Sequence, residues 1–197
     1  MERSRDIEAA AVGEPVEDVL DLVVRLRAGE RSALAETYDR HHAPLRAFAR
    51  KLIGEPHAAE DLVHDVFVAL PHAIRSFEGR STLRTFLFGV AARMCHKHVR
   101  SAVRARAARE RSARRDVADE VPLPSDRAMR AELASALARG LDRLPIDQRL
   151  AFTLCALDER TSREAAEILG VDDVTVRTRM TRARQTLKAF LAEEGVT

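Results

Sequence analysis

Residues 161–191 read TSREAAEILGVDDVTVRTRMTRARQTLKAFL, and this stretch decides the fold. Thr161 and Glu164 are spaced as a capping box, in which a hydroxyl and a carboxylate each satisfy a backbone N–H at a helix start. The helix so opened stops at Leu169-Gly170, because glycine readily takes the left-handed turn that ends a helix. Asp172 or Asp173 caps a longer helix running to about Leu191. Within it Val176, Met180, Ala183, Leu187 and Phe190 recur at spacings of three and four, one inward stripe. Arg177, Thr178, Thr181, Arg182 and Gln185 fall opposite, with Arg179, Arg184 and Lys188 on the flanks. A short helix, a glycine turn and a longer helix with a cationic outer face form a helix-turn-helix, here residues 162–184. Such a second helix enters the major groove, where arginine pairs bidentately with guanine.

The surrounding chain is helical throughout. Its 197 residues are 46% apolar and 32% charged, with 4% aromatics, which allows cores and argues against wholesale disorder. Met129, Leu133, Leu137, Leu141 and Leu144, then Ile146, Leu150, Leu154 and Leu157, are the apolar positions of two more helices in this second lobe. A first lobe precedes it. Val16, Val19, Val23 and Leu26 form one helix, closed by Gly29. Leu34, Tyr38, Leu45, Phe48 and Leu52 are the expected buried positions of a second, which Pro44 can kink. Leu62, Val66, Phe67 and Leu70 line a third. Leu83, Phe86, Leu87, Val90, Ala91 and Met94 make the apolar stripe of a fourth.

The expected architecture is all-α, two small helical domains joined by a charged flexible linker. The divisions are an N-terminal arm at 1–15, a first domain at 16–100, a linker at 101–127, a second domain at 128–191 and a tail at 192–197. Arginines 104, 106, 109, 111, 114 and 115 are followed by Asp116, Asp119, Glu120 and Asp126, and such charge blocks resist packing. The arginine block can also extend the fourth helix, since alanine and arginine are good helix formers.

Several function classes are expected to be absent. Two cysteines give no disulfide framework and fit a reduced cytoplasm. No apolar run reaches the roughly 18 residues of a membrane span, so no direct membrane insertion is expected. Neither a glycine-rich phosphate loop nor a nucleophile elbow occurs, which leaves no basis for an enzyme, a small-molecule substrate or a cofactor. Cys95 and His96 point about 100° apart on a helix and do not converge on a metal with His64 and His98. Net charge is only +2, so polyanion binding rests on local clusters. Arg93, Lys97 and Arg100 make one on the fourth helix, beside a loop with Gly79, Ser81 and Thr82 that suits phosphates and an unstacked base. Asp61 and Asp65 share a helix face without a lysine or arginine at i±4, an acidic docking surface for a basic partner.

In this order the parts resemble the extracytoplasmic-function group of bacterial sigma factors, in the sigma-70 family. Residues 59–67 are similar to that family's polymerase-docking helix, 77–87 to its promoter-melting loop and helix, and 164–184 to its helix-turn-helix. The resemblance covers roughly 18–100 and 128–191. It implies that Asp61, His64 and Asp65 dock core RNA polymerase. It implies that Gly79, Arg80, Ser81, Thr82, Arg84, Phe86, Arg93, Lys97 and Arg100 recognise and open the minus-ten element. Arg177, Thr178, Arg179, Thr181 and Arg182 would then contact minus-thirty-five DNA. An anti-sigma partner is also implied, and the location is cytoplasmic. The other reading is a freestanding helix-turn-helix regulator that binds an operator without polymerase. Phe86, Arg93, Lys97, Val174 and Thr181 depart from the family's usual Trp, Asn, Asp, Gly and larger residue, so the promoter sequence does not follow from family rules.

Overall fold

The computed structural model describes residues 16–112 and 125–195. Among these there is no strand. The helices are α1 (Val16–Arg27), α2 (Arg31–Ile53), α3 (Pro56–Ala73), α4 (Leu83–Ser112), α5 (Ser125–Arg143), α6 (Ile146–Phe152), α7 (Ser162–Leu169) and α8 (Asp173–Glu193). A 3₁₀ turn, Ile74–Ser76, follows α3, and one wide turn, Thr153–Leu157, continues α6. Helix α4 thus runs through residue 112, across the first part of the segment expected to be linker, as its alanine and arginine content allows. The arm at 1–15, the rest of the linker at 113–124 and the last two residues lie outside the described residues.

Helices α1 to α4 share a dry core. Leu22 and Leu26 of α1, Leu45, Phe48 and Leu52 of α2, Leu62, Val66 and Leu70 of α3, and Leu83 and Leu87 of α4 are all essentially inaccessible. Pro44 does not divide α2, which stays one helix of 23 residues. Burial of neighbouring Leu45 and Phe48 outweighs a proline cost of about 3 kcal/mol. Glu55 opens α3, its carboxylate accepting the N–H groups of His57 and Ala58, with Pro56 in the first turn.

Two expected core positions are corrected. Tyr38 is 42% exposed, with its ring lying across His42 at 4.5 Å and Phe67 at 4.8 Å. The adjacent positions Thr37 and His41 take the inside instead, and the Thr37 hydroxyl donates to the Ala33 carbonyl at 2.7 Å. Leu133 is likewise exposed, whereas Ala136 is fully buried and Leu141 and Leu144 pack against Ala183 and Leu187 of α8.

Helix α7 opens on the expected capping box: Thr161 Oγ1 accepts the Glu164 N–H at 3.2 Å, and Glu164 accepts the Thr161 N–H at 2.8 Å. The Thr161 N–H and the Thr161 hydroxyl, each donating to the Glu164 carboxylate at 2.8 Å, hold that carboxyl below the usual carboxylate range. The helix ends at Gly170 in the left-handed region, φ 65. Asp172 is the N-terminal residue flanking α8, but its side chain makes no cap bond.

The lobes do not hang apart. The main buried cluster runs from α1–α4 straight into Leu150 and Leu154 near α6, Ala165, Ala166 and Ile168 of α7, and Val176 and Met180 of α8. Phe88, Ala92 and Cys95 of α4 lie off the stripe read from the sequence, and they are buried as well.

Candidate nucleic-acid and polymerase interface

Helix α8 owes its outward chemistry to its inward stripe. Val176, Met180, Ala183, Leu187 and Phe190 are buried, which turns Arg177, Thr178, Thr181 and Arg182 to solvent. The hydroxyls of Thr178 and Thr181 donate to carbonyls four residues back, at 2.9 and 3.0 Å, and so present lone pairs outward. Arg177 pairs with Asp173 at 2.6 Å. This exposed pair holds the side chain weakly and is readily exchanged for a phosphate. Arg179 differs from its neighbours: it is half-buried and turned to Asp147, 3.4 Å away.

In the first lobe, the loop after α3 is set from α1. Arg27 donates to the carbonyl oxygens of Ile74, at 3.4 Å, and of Phe77. Its only sequence signal is a basic residue in the last turn of a helix. Phe77 then packs on Phe86, centroids 5.1 Å apart, so the aromatic at the start of α4 is half-buried rather than free. Gly79 has φ 73, and exposed Arg80 pairs with Glu78 at 2.6 Å. Thr82 Oγ1 accepts the Thr85 N–H at 3.0 Å, so this hydroxyl starts α4. Ser81 beside it is half-buried. Arg84 lies over the Phe88 ring at 5.6 Å.

Farther along α4, Arg93 and Lys97 are exposed, Lys97 by 82% of its side chain. Arg100 lies on the same helix, and its side chain is outside the described residues. Gly79, Arg80, Arg84, Arg93 and Lys97 therefore follow one another from the loop down the helix.

The acidic strip on α3 is less uniform than its spacing suggests. Asp61 and His64 are exposed, whereas Asp65 accepts from His98 Nε2 at 2.9 Å and lies 3.9 Å from Lys97 Nζ. His98 is nearly buried, so it fixes the Asp65 carboxylate from the neighbouring helix. No local sequence signal links residues 33 positions apart. Val68, one turn on, is 65% exposed and adds an apolar element to the strip.

Cys95 is buried, and burial pushes its thiol up to about 12. It serves as a small apolar group in the core. Among the described residues, no three His, Cys, Asp or Glu side chains are grouped as a metal site. No helix there is long and apolar enough to cross a membrane.

Comparison with known proteins gives this geometry a context. Residues 37–105 match the family model for sigma-70 region 2, and residues 134–187 match that for sigma-70 region 4. The chain is 34% identical over 157 residues to the ECF RNA polymerase sigma factor EcfG of Rhodopseudomonas palustris, covering 77% of this chain and 81% of that protein. Its fold is similar to CnrH in complex with the cytosolic domain of CnrY, with TM-score 0.58, 28% identity, and coverage of 87% of this chain and 96% of that one. It is also similar to the sigma factor RpoE of Bartonella quintana in complex with the anti-sigma factor NepR, with TM-score 0.52, 27% identity, and coverage of 76% and 91%.

Proposed function

The chain belongs to the extracytoplasmic-function (ECF) sigma factors of RNA polymerase, and from that premise we propose how its residues divide the work of promoter-specific initiation. It binds core RNA polymerase and directs it to promoters. Polymerase docks on α3, where Asp61, His64 and the His98-oriented Asp65 offer acidic contacts beside Val68. The loop at 79–82 and the face of α4 bearing Arg84, Arg93, Lys97 and Arg100 hold the opened minus-ten strand. An extruded base placed in a protein pocket offsets an unstacking cost of a few kcal/mol, so opening needs no covalent step by this chain. Phe86 stacks at the edge of that pocket, with Phe77 behind it. Helix α8 reads minus-thirty-five duplex through Arg177, Thr178, Thr181 and Arg182, with Arg179 joining once it leaves Asp147.

The observation that carries this reading is the exposed Arg177–Arg182 face of α8 behind a capped helix and glycine turn. An anti-sigma factor is a further partner, supported by the complex in which the similar RpoE is found. The site of action is the cytoplasm, where polymerase and promoters are.

Transcription with purified core polymerase on fragmented genomic DNA tests the proposal. New start sites that share two upstream elements at fixed spacing are expected only when this chain is added. Tight operator binding by the chain alone, with no new starts, would overturn it.

A further inference from the structure

Helix α1 lies ahead of residues 37–105, which match the sigma-70 region 2 model, and none of the polymerase or DNA contacts assigned above lies on it. Its last turn nevertheless carries two arginines with opposite duties. Arg25 and Arg27 are two residues apart, which on a helix turns them about 200° from each other. Arg25 faces α2. Its guanidinium donates to Glu36 at 3.0 Å and to Glu30 at 3.2 Å, and lies 3.4 Å from Asp21. The tie to Glu36 fixes the end of α1 against the early turns of α2, while Val23 and Leu26 anchor the helix in the core.

Arg27 faces the other way. Its Nε donates to the Ile74 carbonyl at 3.4 Å, and its Nη2 to the Phe77 carbonyl. An arginine near a helix C-terminus commonly serves the last carbonyls of its own helix. The partners of Arg27 are instead 47 and 50 positions away, so its donors go to the loop. One rigid, permanently charged fork thus spans the 3₁₀ turn and the residue after it.

What hangs from that turn is the loop assigned to the opened strand. Ile74 and Phe77 are buried, and the Phe77 N–H donates to the Ile74 carbonyl at 3.1 Å. The Ser76 hydroxyl donates to the Ala73 carbonyl at 2.8 Å. The Phe77 ring rests on Phe86, which edges the proposed base pocket. At the far end of the loop, Thr82 Oγ1 accepts the Thr85 N–H at 3.0 Å. Between these ends Glu78 and Arg80 are exposed and pair with each other at 2.6 Å. An exposed pair of that kind holds little. The loop therefore takes its shape from its two ends, and Arg27 fixes one of them.

We infer that Arg27 is a positioning residue for promoter opening: through the Phe77 carbonyl it holds the Phe77–Phe86 pair and the 78–82 loop in the form that receives the extruded minus-ten base. This rests on the initiation reading above. The physical gain is preorganisation. A site that visits its binding form only part of the time binds with an affinity lowered by that fraction. Hydrogen bonds from a charged donor are about twice as strong as neutral ones, so losing two of them frees the turn.

2-Aminopurine at the minus-ten base of a promoter found by start-site mapping tests this, because its fluorescence rises when the base leaves the stack. The rise is read with holoenzyme built from core polymerase and the full chain. Arg27→Ala should weaken strand capture about tenfold, as expected if the loop is competent about a tenth of the time. Core-polymerase affinity and the minus-thirty-five footprint should stay at wild-type values. The salt dependence of strand binding should not change, since Arg27 faces carbonyls and not phosphates. Arg27→Lys should recover part of the loss. Combined with Phe86→Ala, Arg27→Ala should add nothing to the loss from Phe86→Ala alone, because both act on one aromatic pair. Should Arg27→Ala lose its helical circular dichroism, Arg27→Lys and Arg27→Gln decide by the same signal. Wild-type capture by the variants that fold would overturn the assignment, and so would a full independent loss on top of Phe86→Ala. No signal from wild-type holoenzyme would remove the initiation reading, and the assignment with it.

Discussion

Helix α8 buries one face, and α4 buries two. In α8 every inward residue sits at the three-and-four spacing of a single stripe, and the outer face stays in water. In α4 the stripe through Leu83, Leu87, Val90 and Ala91 packs on α2 and α3. Phe88, Gly89 and Ala92 are covered as well, and α7 lies on Gly89. A helix covered along one side only, as α8 is by α5, α6 and α7, declares its orientation through its own period. A helix wedged between two bodies needs small and apolar residues on a second face, and those blur the period. Gly89 reads alone as a weak spot in a helix, and with buried Ala92 it forms a landing site for α7.

Four substitutions break or sharpen this contrast. Leu87→Ala, at a position with no solvent access, should cost the first lobe about 2–5 kcal/mol in denaturant unfolding through lost burial and a cavity. Arg182→Ala should leave unfolding unchanged and weaken minus-thirty-five duplex binding by about 1–3 kcal/mol if its partner is guanine. A footprinting titration of the polymerase holoenzyme measures that loss, and no loss would strike Arg182 from the contact residues. Thr161→Ala removes one bond of the capping box and should destabilise α7 by about 0.5–2 kcal/mol, read as faster amide exchange at its first turn. Lys97→Ala should act least. It should weaken minus-ten strand binding about equally for all sequences and lower the salt-dependence slope by roughly one phosphate contact. A sequence-dependent effect would make Lys97 a reader rather than a clamp.

The helical elements and the face of α8 are legible in the sequence, because capping boxes, glycine stops and apolar periodicity are local. The same periodicity points Tyr38 and Leu133 inward, yet both are exposed. Period alone does not say which side of a helix its neighbour covers, and on α5 it is Ala136 rather than Leu133 that is covered. Within the candidate site, the Arg27 anchor on Phe77 and the His98 anchor on Asp65 left no local mark, since each joins helices distant in the chain.

The sequence by itself determined an all-α chain, a cationic recognition helix and an acidic strip on α3, because short-range spacing places side chains on helix faces without knowledge of what they touch. Only the tertiary structure decided that both lobes share one buried cluster, that Arg149 is sealed against the Leu52 carbonyl, and that Gly89 accepts Ile168. Burial is a property of pairs of surfaces, and the surfaces that meet at this seam lie about eighty residues apart in the chain, beyond the reach of any local pattern.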